Sequence, residues 1–151
     1  LRGSENPYGD ESNPEVNYAN RLVYMTLKRA LQVLSVGAHV LIENPLMSYF
    51  WLFDEVKELL GCLGMYLVRI DQCTVGTPFQ KPQLWLTSCT ELMADGAVCY
   101  HHLPHPEKLA GGRTRLSAPY PVPLCDIIAR ALTRTVKAQG GETAQGGKIP
   151  G

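Results

Sequence analysis

The sequence predicts an α/β domain in which a mainly parallel sheet carries helices on both faces. Stretches with apolar residues at helical spacing alternate with short, uninterrupted apolar runs, and each run ends abruptly at polar residues. Uninterrupted runs are typical of strands buried on both faces, and their alternation with helices is typical of a doubly wound, Rossmann-like sheet. Because only three or four strands are predicted, we expect a partial sheet that forms one half of a larger domain.

The first helix is predicted from Pro14 to Val36, where apolar residues recur every three or four positions. Asn13 is a favourable N-cap, and Gly37 is a favourable residue at which to end the helix. The preceding residues, 1–13, are rich in turn-forming types and are expected to form an irregular lead-in.

The remaining elements are predicted in the order strand, helix, strand, strand, short strand and helix, so that the sheet ends in a hairpin-like addition. They are a strand at 39–42, a helix after Pro45, strands at 65–70, 83–88 and 97–100, and a helix around 124–132. We expect the domain to span residues 14–137 and the Gly-rich residues 138–151 to form a disordered tail.

Composition argues against several classes of protein. The 14 basic and 14 acidic residues balance, which argues against binding of nucleic acid by bulk electrostatics. The apolar stretches are too short to span a bilayer, so no membrane partner is expected. Five widely spaced cysteines, an odd number, favour an intracellular reducing compartment over a disulfide scaffold.

Polar residues follow two predicted strands, at the ends where open α/β sheets bind ligands. Glu43 follows the first strand, where a carboxylate is able to pass a proton to a substrate or, alternatively, to cap a helix or pair with a surface cation. The second strand ends at Asp71-Gln72-Cys73, and the loop that follows contains Gln80 and Lys81 and is stiffened by Pro78 and Pro82. That loop either presents them to an anionic or carbonyl group or simply connects two strands.

Three motifs, in order, resemble those of the cytosine 5-position DNA methyltransferases. Glu43-Asn44-Pro45 is similar to the family's Glu-Asn-Val motif. Residues 75–85 (VGTPFQKPQLW) resemble its Gly-x-Pro-Gln-x-Arg-x-Arg motif, and residues 120–125 (YPVPLC) its Asn-x-Val-Pro-x-x-Leu motif. The resemblance covers most of residues 1–132 and extends to divergent methyltransferase-like domains of mobile-element polyproteins.

The resemblance implies the C-terminal half of a class I methyltransferase that uses S-adenosylmethionine and acts on nucleic acid. Glu43 takes the position of the catalytic glutamate, which contacts the N3 side of a flipped-out cytosine. The other implied site residues are Asn44, Gln80 and Lys81 for the substrate, and Pro121 and Pro123 for the cofactor.

The chain departs from the family pattern at several points. Phe79 and Gln83 stand where the family has a glutamine and an arginine, and Lys81 replaces another arginine without its bidentate fork. The family's glycine loop and Pro-Cys nucleophile precede the Glu-Asn motif, whereas all five cysteines here follow Glu43. We therefore expect the chain alone to be inactive and to need a preceding N-terminal half or another protein chain. The alternative is a non-catalytic interaction module.

A third interpretation is a zinc-dependent nucleic-acid-binding module. Cysteine sulfur and imidazole nitrogen suit tetrahedral Zn²⁺, and Cys89, Cys99, His101 and His105 lie within one short stretch. Their spacing lacks the two-residue gap between paired cysteines that is typical of zinc fingers. The alternative is a group of solvated side chains in a Pro-rich loop.

Overall fold

The computed structural model describes residues 2–101, 104–109 and 118–143, and the fold is mixed α/β. Its helices and strands are α1 (Pro14–Ser35), β1 (Leu41–Pro45), α2 (Asp54–Leu60), β2 (Tyr66–Asp71), β3 (Pro82–Thr87) and α3 (Val122–Thr143). Single 3₁₀ turns occur at Tyr49–Leu52, Gln72–Val75 and Thr90–Asp95. No helix within these ranges is long and apolar enough to cross a membrane.

β3 is the central strand of a three-stranded sheet with the order β1-β3-β2, and it is antiparallel to both neighbours. The prediction of a mainly parallel sheet is therefore wrong. Only residues 72–81 separate β2 from β3, and they supply no helical crossover of the kind that a parallel pair needs. β1 and β2 run in the same direction, but β3 lies between them and pairs with both.

Two of the predicted strands differ from the structure by more than one residue. β1 begins at Leu41 and ends at Pro45, so Glu43 lies inside the strand rather than after it. Residues 97–100 do not form a strand, because Ala97 makes only an isolated parallel bridge to Ile70 beside β2.

Helices cover both faces of the sheet because neighbouring strand residues point to opposite sides. On one face Leu86 packs in a cluster with residues of α1 and α2, including Leu27 and Val56. On the other face Trp85 packs in a second cluster with Leu124 of α3. The sheet is thus the middle layer between two apolar clusters.

The start of α1 follows the prediction. The Asn13 side chain accepts a hydrogen bond from the Glu15 amide at 2.9 Å, and Gly37 ends the helix with a φ of +74°. The irregular lead-in packs on the core, where the rings of Tyr8 and Phe53 lie 4.5 Å apart.

The last helix, α3, continues to Thr143, so it includes residues 138–143 of the predicted tail. The rest of the predicted tail, residues 144–151, lies outside the described residues.

Candidate functional site

The carboxyl ends of β1 and β2 and the beginning of β3 meet at one edge of the sheet. The register pairs Pro45 of β1 with Gln83 and Asp71 of β2 with Pro82. Because β3 runs opposite to both neighbours, the first residues of β3 lie between the last residues of the other two strands. This edge therefore brings together side chains from all three strands.

Glu43 lies in the middle of β1, two residues before this edge, and its side chain accepts two hydrogen bonds. Gln83 Nε2 donates to Glu43 Oε1 at 2.7 Å, and the Tyr120 hydroxyl donates to Glu43 Oε2 at 2.8 Å. Gln83 is fully buried and Glu43 is half-buried. Tyr120 lies just before α3, so one carboxylate joins β1, β3 and the segment that begins the last helix.

Gln72 extends this network across the sheet. Its Nε2 donates to Gln83 Oε1 at 3.3 Å, so that Gln72, Gln83 and Glu43 form a row of hydrogen-bonded side chains. Among the described residues, Gln72 Oε1 and the nearby Trp85 Nε1 are buried without a hydrogen-bond partner. Buried polar groups in proteins are normally paired. Within the described part of the chain, this face of the sheet thus has one buried acceptor and one buried donor without a partner.

Tyr120 adds an aromatic ring to the site. Burial, together with the hydrogen bond to Glu43, raises the pKa of Tyr120 to about 12. The hydroxyl is therefore protonated at neutral pH and acts as a donor. Its ring centroid lies 5.8 Å from that of Trp85, and Tyr120 remains 41% exposed. An exposed ring beside a carboxylate is able to contact a planar ligand.

The other predicted substrate-binding residues take part in different contacts. Asn44 Oδ1 accepts from Ser48 Oγ at 3.3 Å, within the turn that follows β1. Gln80 is exposed, and its Nε2 lies 3.5 Å from Asp71 Oδ2. Lys81 is half-buried, and its carbonyl oxygen accepts from the Gln72 amide at 3.1 Å. Of the predicted set, Glu43 alone is shown within the network of Gln83 and Tyr120.

The two predicted cofactor-binding prolines lie at the start of α3. The Pro121 carbonyl accepts from the amides of Leu124 at 2.9 Å and Cys125 at 3.2 Å. Pro123 is exposed in the first turn, where the absence of an amide proton costs no helical hydrogen bond. The contacts that the structure shows for these prolines are those of a helix start.

A second group of side chains lies beyond the end of β2. The potential ligand atoms of Cys73, Cys99, His101 and His105 all lie within 4.8 Å of one another, so the group could hold a metal ion. Cys99 Sγ lies 2.9 Å from His101 Nδ1 and 3.3 Å from His105 Nε2, and the two imidazole nitrogens are 3.3 Å apart.

Of the predicted zinc set, the structure brings Cys99, His101 and His105 together, whereas Cys89 lies elsewhere and Cys73 is the fourth member of the group. Cys89 Sγ is buried 2.8 Å from Thr135 Oγ1 of α3. Cys73 is also buried, and burial, together with the neighbouring Cys99, raises the pKa of its thiol to about 11. The sequence placed Cys73 at a strand end, but its distance along the chain from the histidines concealed the contact.

Asp71 joins the end of β2, which leads to Cys73, to the segment that contains Cys99. It is fully buried and receives hydrogen bonds from Arg69 Nε at 2.8 Å, Arg69 Nη2 at 2.9 Å and the Cys99 amide at 2.9 Å. Burial alone raises the pKa of Asp71, but these hydrogen bonds outweigh it and keep the pKa below its ordinary value. The ionised carboxylate thus anchors the Cys99 segment to β2.

Five residues that contribute to these two groups were not predicted as site residues. They are Asp71, Gln72, Cys73, Gln83 and Tyr120. The signal for Gln72 and Cys73 is their position directly after a buried strand. The signal for Tyr120 is its position in the Tyr-Pro pair before the last helix.

Comparisons with protein-family models, with curated proteins and with solved structures find no match for this chain.

Proposed function

We propose that this chain is the substrate-contacting half of a methyltransferase-like domain that acts on a nucleic-acid base, with Glu43 as the substrate-contacting acid. The observation that supports it best is the pair of hydrogen bonds from Gln83 and Tyr120 to Glu43. The three residues belong to the three segments that resemble cytosine methyltransferase motifs. A shared substrate site requires such segments, distant in sequence, to meet in space.

The chemistry of the network suits a base. A carboxylate offers about four lone-pair sites, of which Gln83 and Tyr120 use two. The remaining sites are able to accept from ring or amino N–H groups at the edge of a nucleobase. Gln83 is neutral where the family has an arginine, so it orients Glu43 without neutralising it. The ring of Tyr120 provides an apolar surface of the kind that flipped-out bases pack against.

S-adenosylmethionine supplies the methyl group in the reaction that the resemblance implies. We propose that a preceding N-terminal half or another protein chain contributes most of the cofactor site, because the family's glycine loop and nucleophile motif are not found in this sequence. The position of β1 supports this proposal. In the described part of the chain, β1 pairs with β3 alone, so its other edge carries backbone groups to which a further strand can bond.

The same free edge favours a second candidate, a non-catalytic module that assembles with another chain. In that case the Glu43 network has a structural role, and the departures at Phe79 and Gln83 reflect lost catalysis. The two candidates differ in whether the network recognises a base.

Base recognition is tested by fluorescence anisotropy with a short single-stranded oligonucleotide that contains one cytosine and with its abasic counterpart. We expect the chain to prefer the cytosine oligonucleotide and Glu43→Gln to reduce that preference about tenfold, since a lost charged hydrogen bond contributes roughly 1.5 kcal/mol or more. The preference is the ratio of the affinities for the two oligonucleotides. A general change in electrostatic repulsion of phosphate, caused by the substitution, affects both affinities equally and therefore cancels. Glu58→Gln, an exposed carboxylate on α2, is the matched control. Equal preference in Glu43→Gln and the control would contradict the proposed role.

The cofactor is tested by calorimetric titration of S-adenosylmethionine into the chain alone and into the chain extended by the sequence encoded upstream of Leu1. Binding only by the extended protein would support a methyltransferase domain completed by a preceding segment. Absence of binding in both, with no cytosine preference, would favour the assembly module.

A further inference from the structure

We propose that Cys73, Cys99, His101 and His105 form a structural zinc site that joins the end of β2 to the loop after Ala97. This inference does not depend on the proposed methyltransferase-like function. It starts from the four ligand atoms, which all lie within 4.8 Å of one another. Two thiols and two imidazoles are the ligands of a common class of structural zinc sites.

The distances suit the ion. Bond lengths of about 2.3 Å to sulfur and about 2.0 Å to nitrogen place the ligand atoms of a tetrahedral site roughly 3.3 to 3.8 Å apart. Three of the observed separations, between Cys99, His101 and His105, are 2.9, 3.3 and 3.3 Å. Cys73 Sγ lies within 4.8 Å of these three atoms, so we expect side-chain rotations to be sufficient to admit the ion.

The backbone already holds the two segments beside each other. Ala97 exchanges hydrogen bonds with β2, from its amide to the Arg69 carbonyl at 3.0 Å and from the Asp71 amide to its own carbonyl at 2.9 Å. The Glu107 amide donates to the Pro78 carbonyl at 3.0 Å on the far side of the group. The ligands thus lie between two backbone anchors.

The ligand types favour zinc over other common cations. Magnesium and calcium prefer oxygen ligands, whereas thiolate and imidazole suit zinc. Two thiolates balance the charge of Zn²⁺, which suits a partly buried location beside the Arg69–Asp71 pair. Four protein ligands leave no open coordination position, so the site is structural rather than hydrolytic. Solvent reaches it through a cavity of about 280 Å³ lined by Cys73, His101 and His105.

The consequence of this site concerns the loop that contains Gln80 and Lys81. Cys73 precedes that loop, and the cavity at the group is also lined by Gly76, Thr77 and Pro78. A bound ion would fix the first half of the loop to the segment around His105. Zinc would thereby hold the entry into β3, where Gln83 contacts Glu43.

The test uses the whole 151-residue chain, reduced and stripped of metal, and titrates it with Co²⁺ as a spectroscopic substitute for Zn²⁺. We expect one equivalent to bind with the intense visible bands of a tetrahedral ion and the charge-transfer absorption of two thiolates, and Zn²⁺ to displace it. Zn²⁺ should also raise the unfolding temperature of the chain.

His101→Ala is the first variant, because His101 is exposed and its removal leaves the core intact. We expect its affinity for Co²⁺ to fall by more than roughly 100-fold, since loss of a ligand should exceed the effect of losing an outer hydrogen bond. Cys73→Ser should show the same loss. Cys62→Ser is the matched control, an exposed cysteine outside the group, and Cys89→Ser should keep the two-thiolate spectrum.

The far-ultraviolet circular dichroism of each variant separates loss of metal from loss of fold. Absence of tetrahedral cobalt bands in the unmodified chain would overturn the proposal. So would cobalt affinity in folded His101→Ala that equals that of Cys62→Ser.

Discussion

Gln83 is the residue on which the sheet-edge network depends, because it contacts both Glu43 and Gln72. We expect Gln83→Leu to lower the free energy of unfolding by about 2 to 3 kcal/mol, since it leaves a buried amide unpaired and removes a donor from a carboxylate. The measurement is urea denaturation at neutral pH. Gln80→Leu is the control, an exposed glutamine three residues away, for which a change within about 0.5 kcal/mol is expected. Equal effects of the two substitutions would show that the network adds nothing to stability.

The raised pKa of Tyr120 predicts that the free energy of unfolding falls at alkaline pH. The pKa of Tyr120 is about 12 in the folded chain, against about 10 for an unfolded tyrosine. Between these values the unfolded chain has lost the proton and the folded chain retains it. This residue's contribution is therefore fully present below pH 10 and is lost as the pH rises through 12.

The measurement is the free energy of unfolding of the unmodified chain and of Tyr120→Phe across that range. We expect the stability of the unmodified chain to fall more steeply, and the two curves to converge towards pH 12. Tyr49→Phe, which removes another partly exposed tyrosine, should keep the steep slope. Parallel curves for the chain and Tyr120→Phe would contradict the assigned hydrogen bond.

Among the connecting elements, the turn after β2 depends on a glycine. Gly76 ends the 3₁₀ turn of Gln72–Val75 with a φ of +93°, a conformation that side chains with a Cβ atom disfavour. A Cβ there meets no atom within 4 Å, so the cost of Gly76→Ala is that of the backbone alone. We expect a loss of about 1 to 2 kcal/mol in the free energy of unfolding. Gly3→Ala, also without a close neighbour, should cost much less, and an equal cost would refute this explanation.

The helices and strands differ in how well the sequence predicts them. Local signals were sufficient for α1, because the cap at Asn13 and the stop at Gly37 act within a few residues of each helix end. The existence of β1 and β2 also followed from their apolar runs, and that of β3 from its alternating pattern. The order of the elements predicted a hairpin-like end of the sheet, and β2 and β3 do form an antiparallel pair. The central position of β3 was not predicted, because a strand pattern does not specify which strands lie on either side of it.

The candidate site was less predictable than the elements. Glu43 was identified from its position after an apolar run, but its partners depend on the register of β3 against β1, which no local pattern specifies. The Cys/His group was also only partly predictable from the sequence. Cys99, His101 and His105 are close in sequence, whereas Cys73 joins them only because Ala97 bonds to β2.

At the level of the whole molecule, the sheet is a narrow layer that separates two apolar clusters. α1 and α2 pack on the face that includes Leu86, and α3 packs on the face that includes Trp85. Adjacent residues of β3 therefore belong to different clusters. The Glu43 network lies on the α3 side, since Tyr120, which precedes α3, contacts both Glu43 and Trp85. The site thus depends on how α3 docks as well as on the sheet.

The strand order β1-β3-β2 has a consequence for synthesis on the ribosome. The chain makes β1 and β2 first, yet in the described structure each of them pairs with β3, which is made last. A nascent chain that ends before Pro82 lacks every strand pair of this sheet, so we expect its two apolar strands to stay without their native partner until Thr87 has left the exit tunnel. Such exposed strand edges are prone to aggregate, so the interval between the synthesis of β2 and that of β3 is the period in which a chaperone would bind this protein.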